Sequence, residues 1–224
     1  MGKRIPLPEE PITGIDDVVQ YDRDAKHYIF PEYKYFVRKV LRKGIKGGRV
    51  LDLGTGPGLL AIELAKARGC HFDITAVDIS ENMVRMAVKN ARQAGVEDKI
   101  KFLVATAAAL PFPDNSFDLV MSYASLHHWF EPVTAFNEVE RVAKDTGKVI
   151  IRDNKRMYQN PFYKSIIWII SQFTSRRHRQ NWSKAISASY TIPEAKEIVK
   201  KSHLRECRVN SDFVFVIDLC IESQ

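Results

Sequence analysis

From Gly48 to Asp153 the chain alternates short apolar runs with longer stretches whose apolar residues recur at helical spacing. The short runs are GRVLDL (Gly48 to Leu53), FDITAVDI (Phe72 to Ile79), KIKFLVA (Lys99 to Ala105), FDLVMS (Phe117 to Ser122) and GKVIIRD (Gly147 to Asp153). Each has the length and composition of a strand. Between them the pattern predicts a helix from Gly58 to about Arg68 and another running through Ala94. Ser80 is a suitable N-cap for the second, and Glu81 in its first turn suits the helix dipole. PVTAFNEVERVAK reads as a third helix, with Val133, Phe136, Val139 and Val142 on one face. Strands separated by crossover helices imply a parallel sheet covered on both faces. Ahead of it, Ile15 to Lys43 looks helical, interrupted at Pro31. After Asp153 the rhythm changes: residues 155–190 show no strand signal, and a helix starts at Pro193, a natural first-turn residue. ECRVNSD and FVFVIDLCI then follow so closely that an antiparallel hairpin is expected.

A chain of 224 residues with 45% hydrophobic residues suits one domain with a substantial core. The apolar stretch at Ile166 to Ile170 falls far short of the ~20 residues that span a bilayer. The start, MGKRIPLPEEPITG, lacks the apolar centre of a secretory signal, so a soluble, cytoplasmic protein is expected. Cys70, Cys207 and Cys220 are scattered, with no C-x-x-C pair, which argues against both a zinc site and a disulfide framework. The net charge of +7 raises the question of nucleic acid. Yet the only dense basic patch is RRHRQ, Arg176 to Gln180, and a solvated basic surface is the simpler reading of the rest.

The chemistry begins at VLDLGTGPGLL. A phosphate-binding dinucleotide turn reads G-x-G-x-x-G. Here Gly54, Gly56 and Gly58 are spaced by two, and Leu59 stands where the third dinucleotide glycine would fall. Asp52, at the end of the first strand, would repel a pyrophosphate but attract an ammonium or sulfonium group. The glycines let the backbone approach a bulky ligand closely. Asp78 ends the second strand, placed to accept hydrogen bonds from both ribose hydroxyls, although an acid there is also a helix-capping signal. Together the two motifs point to a nucleoside cofactor carrying positive charge.

VLDLGTGPG, AVDISENMV, LPFPDNSFDLVMS and EVERVAKDTGKVIIRD, in that order, resemble the successive signature segments of class I S-adenosylmethionine-dependent methyltransferases. The resemblance is to the small-molecule group that includes the quinone-biosynthesis methyltransferases, and it covers about residues 45 to 155. It implies an α/β, Rossmann-like fold. The expected sheet has seven strands, mostly parallel with a C-terminal antiparallel hairpin, and helices on both faces. The expected organisation is a single domain: residues 1–44 a helical cover, 45–155 the cofactor-binding core, 156–190 a substrate-side helical insertion, and 191–224 the last helix and hairpin. By the resemblance Gly54, Thr55, Gly56 and Gly58 line the methionine moiety, and Asp52 serves its ammonium. Asp78 holds the ribose, while Ile79 and Met83 pack on the adenine. Where relatives carry Gly-Asp-Ala after the third strand, this chain has Ala105, Thr106, Ala107, so an uncharged hydroxyl replaces a carboxylate as the adenine acceptor. Tyr21 and Tyr28 either cover the cofactor, as N-terminal segments of related enzymes do, or simply pack within their helix.

A sulfonium methyl is already electrophilic, so the protein must chiefly place a nucleophile in line and exclude water. Candidates follow the fourth strand in SYASLHHWF. Ser122 and Tyr123 belong at the carboxyl edge of the sheet, where open α/β folds bind ligands. His127 and His128 are the candidate bases, with His128 preferred because the family often has histidine there. The bland alternative is that one of the pair packs or bonds to backbone. PFYKSIIWIISQF carries a wide apolar face that suits core packing, a lid over an apolar acceptor, or a homodimer contact. With the neighbouring arginines it suits an amphipathic or anionic small molecule. Nucleic acid is not the expected partner, because SYAS occupies the position of the Pro-Pro-aromatic motif of nucleobase amino-group methyltransferases. An RNA or protein methyltransferase and a non-catalytic cofactor-binding protein stand as alternatives.

Overall fold

The computed structural model of the chain describes residues 3–7, 12–156, 165, 176–204, 207–212 and 216–221. The apolar runs form the core strands: β1 (Gly47–Leu53), β2 (His71–Asp78), β3 (Ile100–Val104), β4 (Phe117–Tyr123) and β5 (Ala143–Asn154). All five pair in parallel, β3 with β2, β2 with β1, β1 with β4 and β4 with β5. The fold is therefore α/β and Rossmann-like, with a mainly parallel sheet. Two further segments, β6 (Arg208–Asp212) and β7 (Val216–Ile221), extend it antiparallel, giving the order β3-β2-β1-β4-β5-β7-β6. Residues 213–215, which join them, lie outside the described residues.

Helices cover both faces. They are α1 (Ile15–Asp24), α2 (Phe30–Arg42), α3 (Leu59–Ala65), α4 (Glu81–Gln93), α5 (Pro132–Val142), α6 (Arg176–Ala188) and α7 (Ile192–Lys201). Phe36, Val40, Leu60, Leu64, Ile74 and Ile150 share the core on one side of the sheet. Leu51, Leu53, Val120, Phe136, Val139 and Ile151 share that on the other. Burying each such side chain contributes ~1.5–3 kcal/mol before the entropy of ordering it.

Two boundaries differ from expectation. The interruption of the N-terminal helix comes at Ala25–Ile29, a turn of π-helix, and Pro31 sits in the first turn of α2, where its missing N–H is harmless. The helix expected to run through Lys144 stops at Val142, because Ala143 is extended and opens β5 beside Phe117. Ser80 caps α4 as expected, accepting from the Met83 N–H at 3.3 Å. Thr191 and Glu194 form a reciprocal capping box on α7. The apolar helix expected over residues 161–173 falls, except for Ser165, outside the described residues. Among the described residues no helix is long and apolar enough to cross a membrane.

Candidate functional site

Strand order reverses between β1 and β4, and at such a switch point the loops leaving neighbouring strands part to leave a crevice. The glycine turn leaves β1 there. Its Gly54 and Thr55 N–H groups both donate to the Val77 carbonyl at the end of β2, each at 2.9 Å. Two of its glycines are required by close approach. Gly54 has φ +67, and a Cβ on it would overlap the Ser125 hydroxyl; Gly58 has φ +79, and a Cβ would stand 2.8 Å from that of Ala87 on α4. Asp78 lies across the turn. Its two oxygens accept from Gly56 N–H at 2.8 Å and Ser80 N–H at 2.9 Å. Each oxygen retains capacity for a second hydrogen bond. Burial raises the carboxyl above its ordinary range, and the two N–H bonds hold that rise back.

The cavity in this crevice is lined on the β1–β3 side by Gly54, Gly56, Asp78, Ile79, Met83 and Thr106, with Ala107 beside them. On the β4 side Ser125, His128, Trp129 and Phe130 face it. Tyr21 of α1 and Ile12 close it from the N-terminal segment. Burial, then the carboxylates of Asp78 and Asp153, pushes the Tyr21 phenol up to about 12. Thr106 accepts from the Ala108 N–H at 3.3 Å.

Other expected site residues stand behind this wall. Asp52 is 1% exposed and accepts from the Thr55 hydroxyl at 2.7 Å. Burial raises it to about 7, against the lowering effect of Thr55. Thr55 and Gly58 are buried under the turn. Ser122 is wholly buried, its hydroxyl donating to the Leu53 carbonyl at 2.8 Å and so tying β4 to β1. Tyr123 packs edge-on against Tyr33 and Phe36. Tyr28 packs edge-on against His27. These contacts place Ser122, Tyr123 and Tyr28 in the scaffold rather than on the cavity wall.

The histidine pair divides. His127 is 3% exposed, its Nδ1 2.7 Å from Asp153 Oδ1 while its backbone N–H donates to Asp153 Oδ2 at 2.7 Å. His128 stacks on it with ring centroids 4.2 Å apart and reaches the cavity. Burial, reinforced by His127, lowers His128 to about 3, so at neutral pH it is an uncharged imidazole and a weak base. Sequence reasoning missed Ser125, whose hydroxyl accepts from the Trp129 indole N–H at 2.9 Å, and the left-handed Ala124 at φ +53. It also missed Asp153. No local signal marks a serine or an acid for a partner supplied by another loop.

Residues 51–151 match the family model of the methyltransferase domain. That match, with the glycine turn over a parallel sheet, makes this segment similar to the core of S-adenosylmethionine-dependent methyltransferases. More particularly, 120 residues of the chain are 32% identical to the ubiquinone/menaquinone biosynthesis C-methyltransferase UbiE of Yersinia enterocolitica, covering 54% of this chain and 48% of that protein. The chain thus spans about half the length of the curated relatives it matches. A methyltransferase structure from Aquifex aeolicus superposes with a TM-score of 0.68 at 21% identity, over 92% of this chain and 97% of that one. Phosphoethanolamine N-methyltransferase 2 of Haemonchus contortus, solved with S-adenosyl-L-methionine, gives 0.59 at 23% identity, over 79% of this chain and 38% of that one. The two structures show the shared fold.

S-adenosylmethionine fits the residues present. Asp78 keeps acceptor capacity for a ribose, and Gly56 lines the cavity with no side chain of its own beside the Tyr21 ring. Among the described residues of the wall Asp78 and Glu131 are the charged groups, with no lysine or arginine for a pyrophosphate.

Proposed function

We propose that the chain transfers the methyl group of S-adenosylmethionine to a small-molecule acceptor, with placement as its main catalytic device. The observation that carries this reading is the unlike pair of walls facing one cavity. One is glycine backbone with the Asp78 carboxylate, suited to a nucleoside; the other is largely aromatic, with His128, Trp129 and Phe130 beside a single carboxylate at its edge, Glu131, suited to an acceptor. The cofactor supplies an electrophilic methyl on a sulfonium. Asp78 holds the ribose hydroxyls, Gly54 and Gly56 admit the methionine part, and Ile79 and Met83 pack on the adenine. Thr106 and Ala107 meet the adenine edge. Asp52 acts through the turn by its charge rather than by contact. Thr55 and Gly58 serve by shaping the turn.

On the acceptor side His128 is an uncharged hydrogen-bonding group, and His127 fixes it. Trp129 keeps water from the reacting atoms. The low basicity of His128 favours an acceptor that is already nucleophilic when bound. Likeness to a quinone-biosynthesis C-methyltransferase favours a small molecule over RNA or protein. We read the whole chain as one domain, with residues 1–44 as cover, 45–155 as cofactor core, 156–190 on the substrate side and 191–224 completing the fold.

The test is incubation with labelled methyl donor and cell extract, followed by separation of small molecules, RNA and protein. Label in the small-molecule fraction is expected. Label in RNA or protein overturns the acceptor class. Tight donor binding with no transfer overturns the enzyme reading.

A further inference from the structure

Away from the cavity wall, one buried amide joins three segments. Asn90 on α4 is 4% exposed. Its Nδ2 donates to Asp22 Oδ1 on α1 and to the Pro57 carbonyl in the glycine turn, each at 2.8 Å. Its Oδ1 accepts from Lys26 Nζ at 2.8 Å, and Lys26 also reaches Asp22 Oδ2 at 2.7 Å. Both amide hydrogens and the carbonyl are thus engaged. The neighbouring buried positions of α4, Met83, Ala87 and Ala91, are apolar. An amide in that company is tolerated only because it is bonded.

The three segments converge on the cofactor cavity. Met83, Ala87 and Asn90 share one face of α4. Met83 lines the cavity, Ala87 presses on Gly58, and Asn90 holds Pro57 between Gly56 and Gly58. Asp22 follows Tyr21 directly, and a Cβ at Gly56 would stand 3.7 Å from the Tyr21 ring. Lys26 lies in the π turn after α1, where an extra residue re-aims the chain.

We propose that Asn90, with Asp22 and Lys26, latches α1 against the glycine turn, holding Tyr21 over Gly56 and setting how long the cofactor stays bound. This rests on the reading of the cavity as the S-adenosylmethionine site. Asn90 is a positioning residue, acting through Tyr21.

The probe is S-adenosylhomocysteine, its affinity measured by calorimetry and its release by stopped-flow displacement from the full chain. Asn90→Asp removes both N–H donors and sets a carboxylate beside Asp22, so release is expected to quicken ~10-fold. Lys26→Met, at a half-exposed position, is expected to quicken it ~3-fold. In a Tyr21→Ala background Asn90→Asp should add no further acceleration, because both changes remove the same cover. Unchanged release in Lys26→Met and Asn90→Asp, a lowered Tm with unchanged release, or full additivity with Tyr21→Ala overturns the latch. If Asn90→Asp does not fold, Lys26→Met alone and with Tyr21→Ala decides by the same criteria. Failure of the unmutated chain to bind the probe overturns the cofactor reading itself, and the latch with it.

Discussion

On the β1–β2 side of the crevice the cavity is lined by glycine backbone and one carboxylate, fixed by bonds such as Gly56 to Asp78, 22 positions apart. On the β4–β5 side they are side chains on a turn held from afar. Arg4 donates to the His127 carbonyl from 123 positions away, Asp153 grips His127 from the end of β5, and Ser125 fits against Gly54. The first wall is built from local motifs, a glycine turn and a strand-end acid. The second is assembled by tertiary contacts, and on the function proposed above it is the acceptor's side. The comparison predicts that damage to one wall leaves the function of the other intact.

The largest effect is expected from Asp78→Ala. Losing two hydrogen bonds from a charged acceptor to the ribose removes ~3 kcal/mol or more of binding, about 100-fold in cofactor affinity by calorimetry. Affinity within threefold of the original would separate Asp78 from the cofactor and break the comparison at its firmest point.

Asp153→Ala attacks the other wall. It strips acceptors from the His127 N–H, the His127 ring and the Asn154 N–H. Leaving such buried groups unmatched costs ~3 kcal/mol of folding stability in denaturant titration. Cofactor affinity, measured well below the melting temperature, should change less than twofold. A loss like that of Asp78→Ala would show the walls to be one unit.

Next in size is the response to pH. Asp52 is raised from 3.8 to about 7, chiefly by burial. The folded chain therefore keeps a proton that the unfolded chain has released in that window. Its contribution to stability is fully present below pH 3.8 and is lost as pH rises through about 7. A cationic cofactor favours the ionised carboxylate, so binding should release a proton and strengthen ~10-fold from pH 6 to 8. Asp52→Asn should flatten that profile. A flat profile in the unmutated chain would remove Asp52 from cofactor recognition.

Legibility in the sequence follows the same division. The parallel core, the glycine turn and Asp78 were readable because strand period, φ-permissive glycine and a strand-end acid are local signals. Ser122 and Tyr123 were placed on the right strand, but their partners were not legible. Strand register sends the Ser122 hydroxyl to the Leu53 carbonyl, and α2 supplies the aromatic partners of Tyr123. The histidines were found as a pair, yet nothing in SYASLHHWF says which ring meets Asp153. Asp22 and Asn90 gave no signal at all, because their meaning lies in a contact 68 positions long.

The smallest effect sharpens the comparison at Thr106, where the family resemblance leads one to expect a carboxylate. Thr106 lines the cavity, and its hydroxyl already accepts from the Ala108 N–H at 3.3 Å. A carboxylate on this loop can accept that bond with one oxygen and the adenine amino group with the other. Charge-assisted bonds are stronger than neutral ones, but a carboxylate here must also be held near Asp78, whose like charge opposes it. The two effects nearly offset. Thr106→Asp should therefore tighten cofactor binding only ~3-fold, while a cofactor analogue whose adenine amino group is replaced by a carbonyl should bind more weakly, its oxygen facing a carboxylate. Paired calorimetry with adenine and hypoxanthine forms reads the difference. Equal effects on both forms would mean that Thr106 faces the cavity without meeting the base, and the adenine would then be held by Ile79 and Met83 alone.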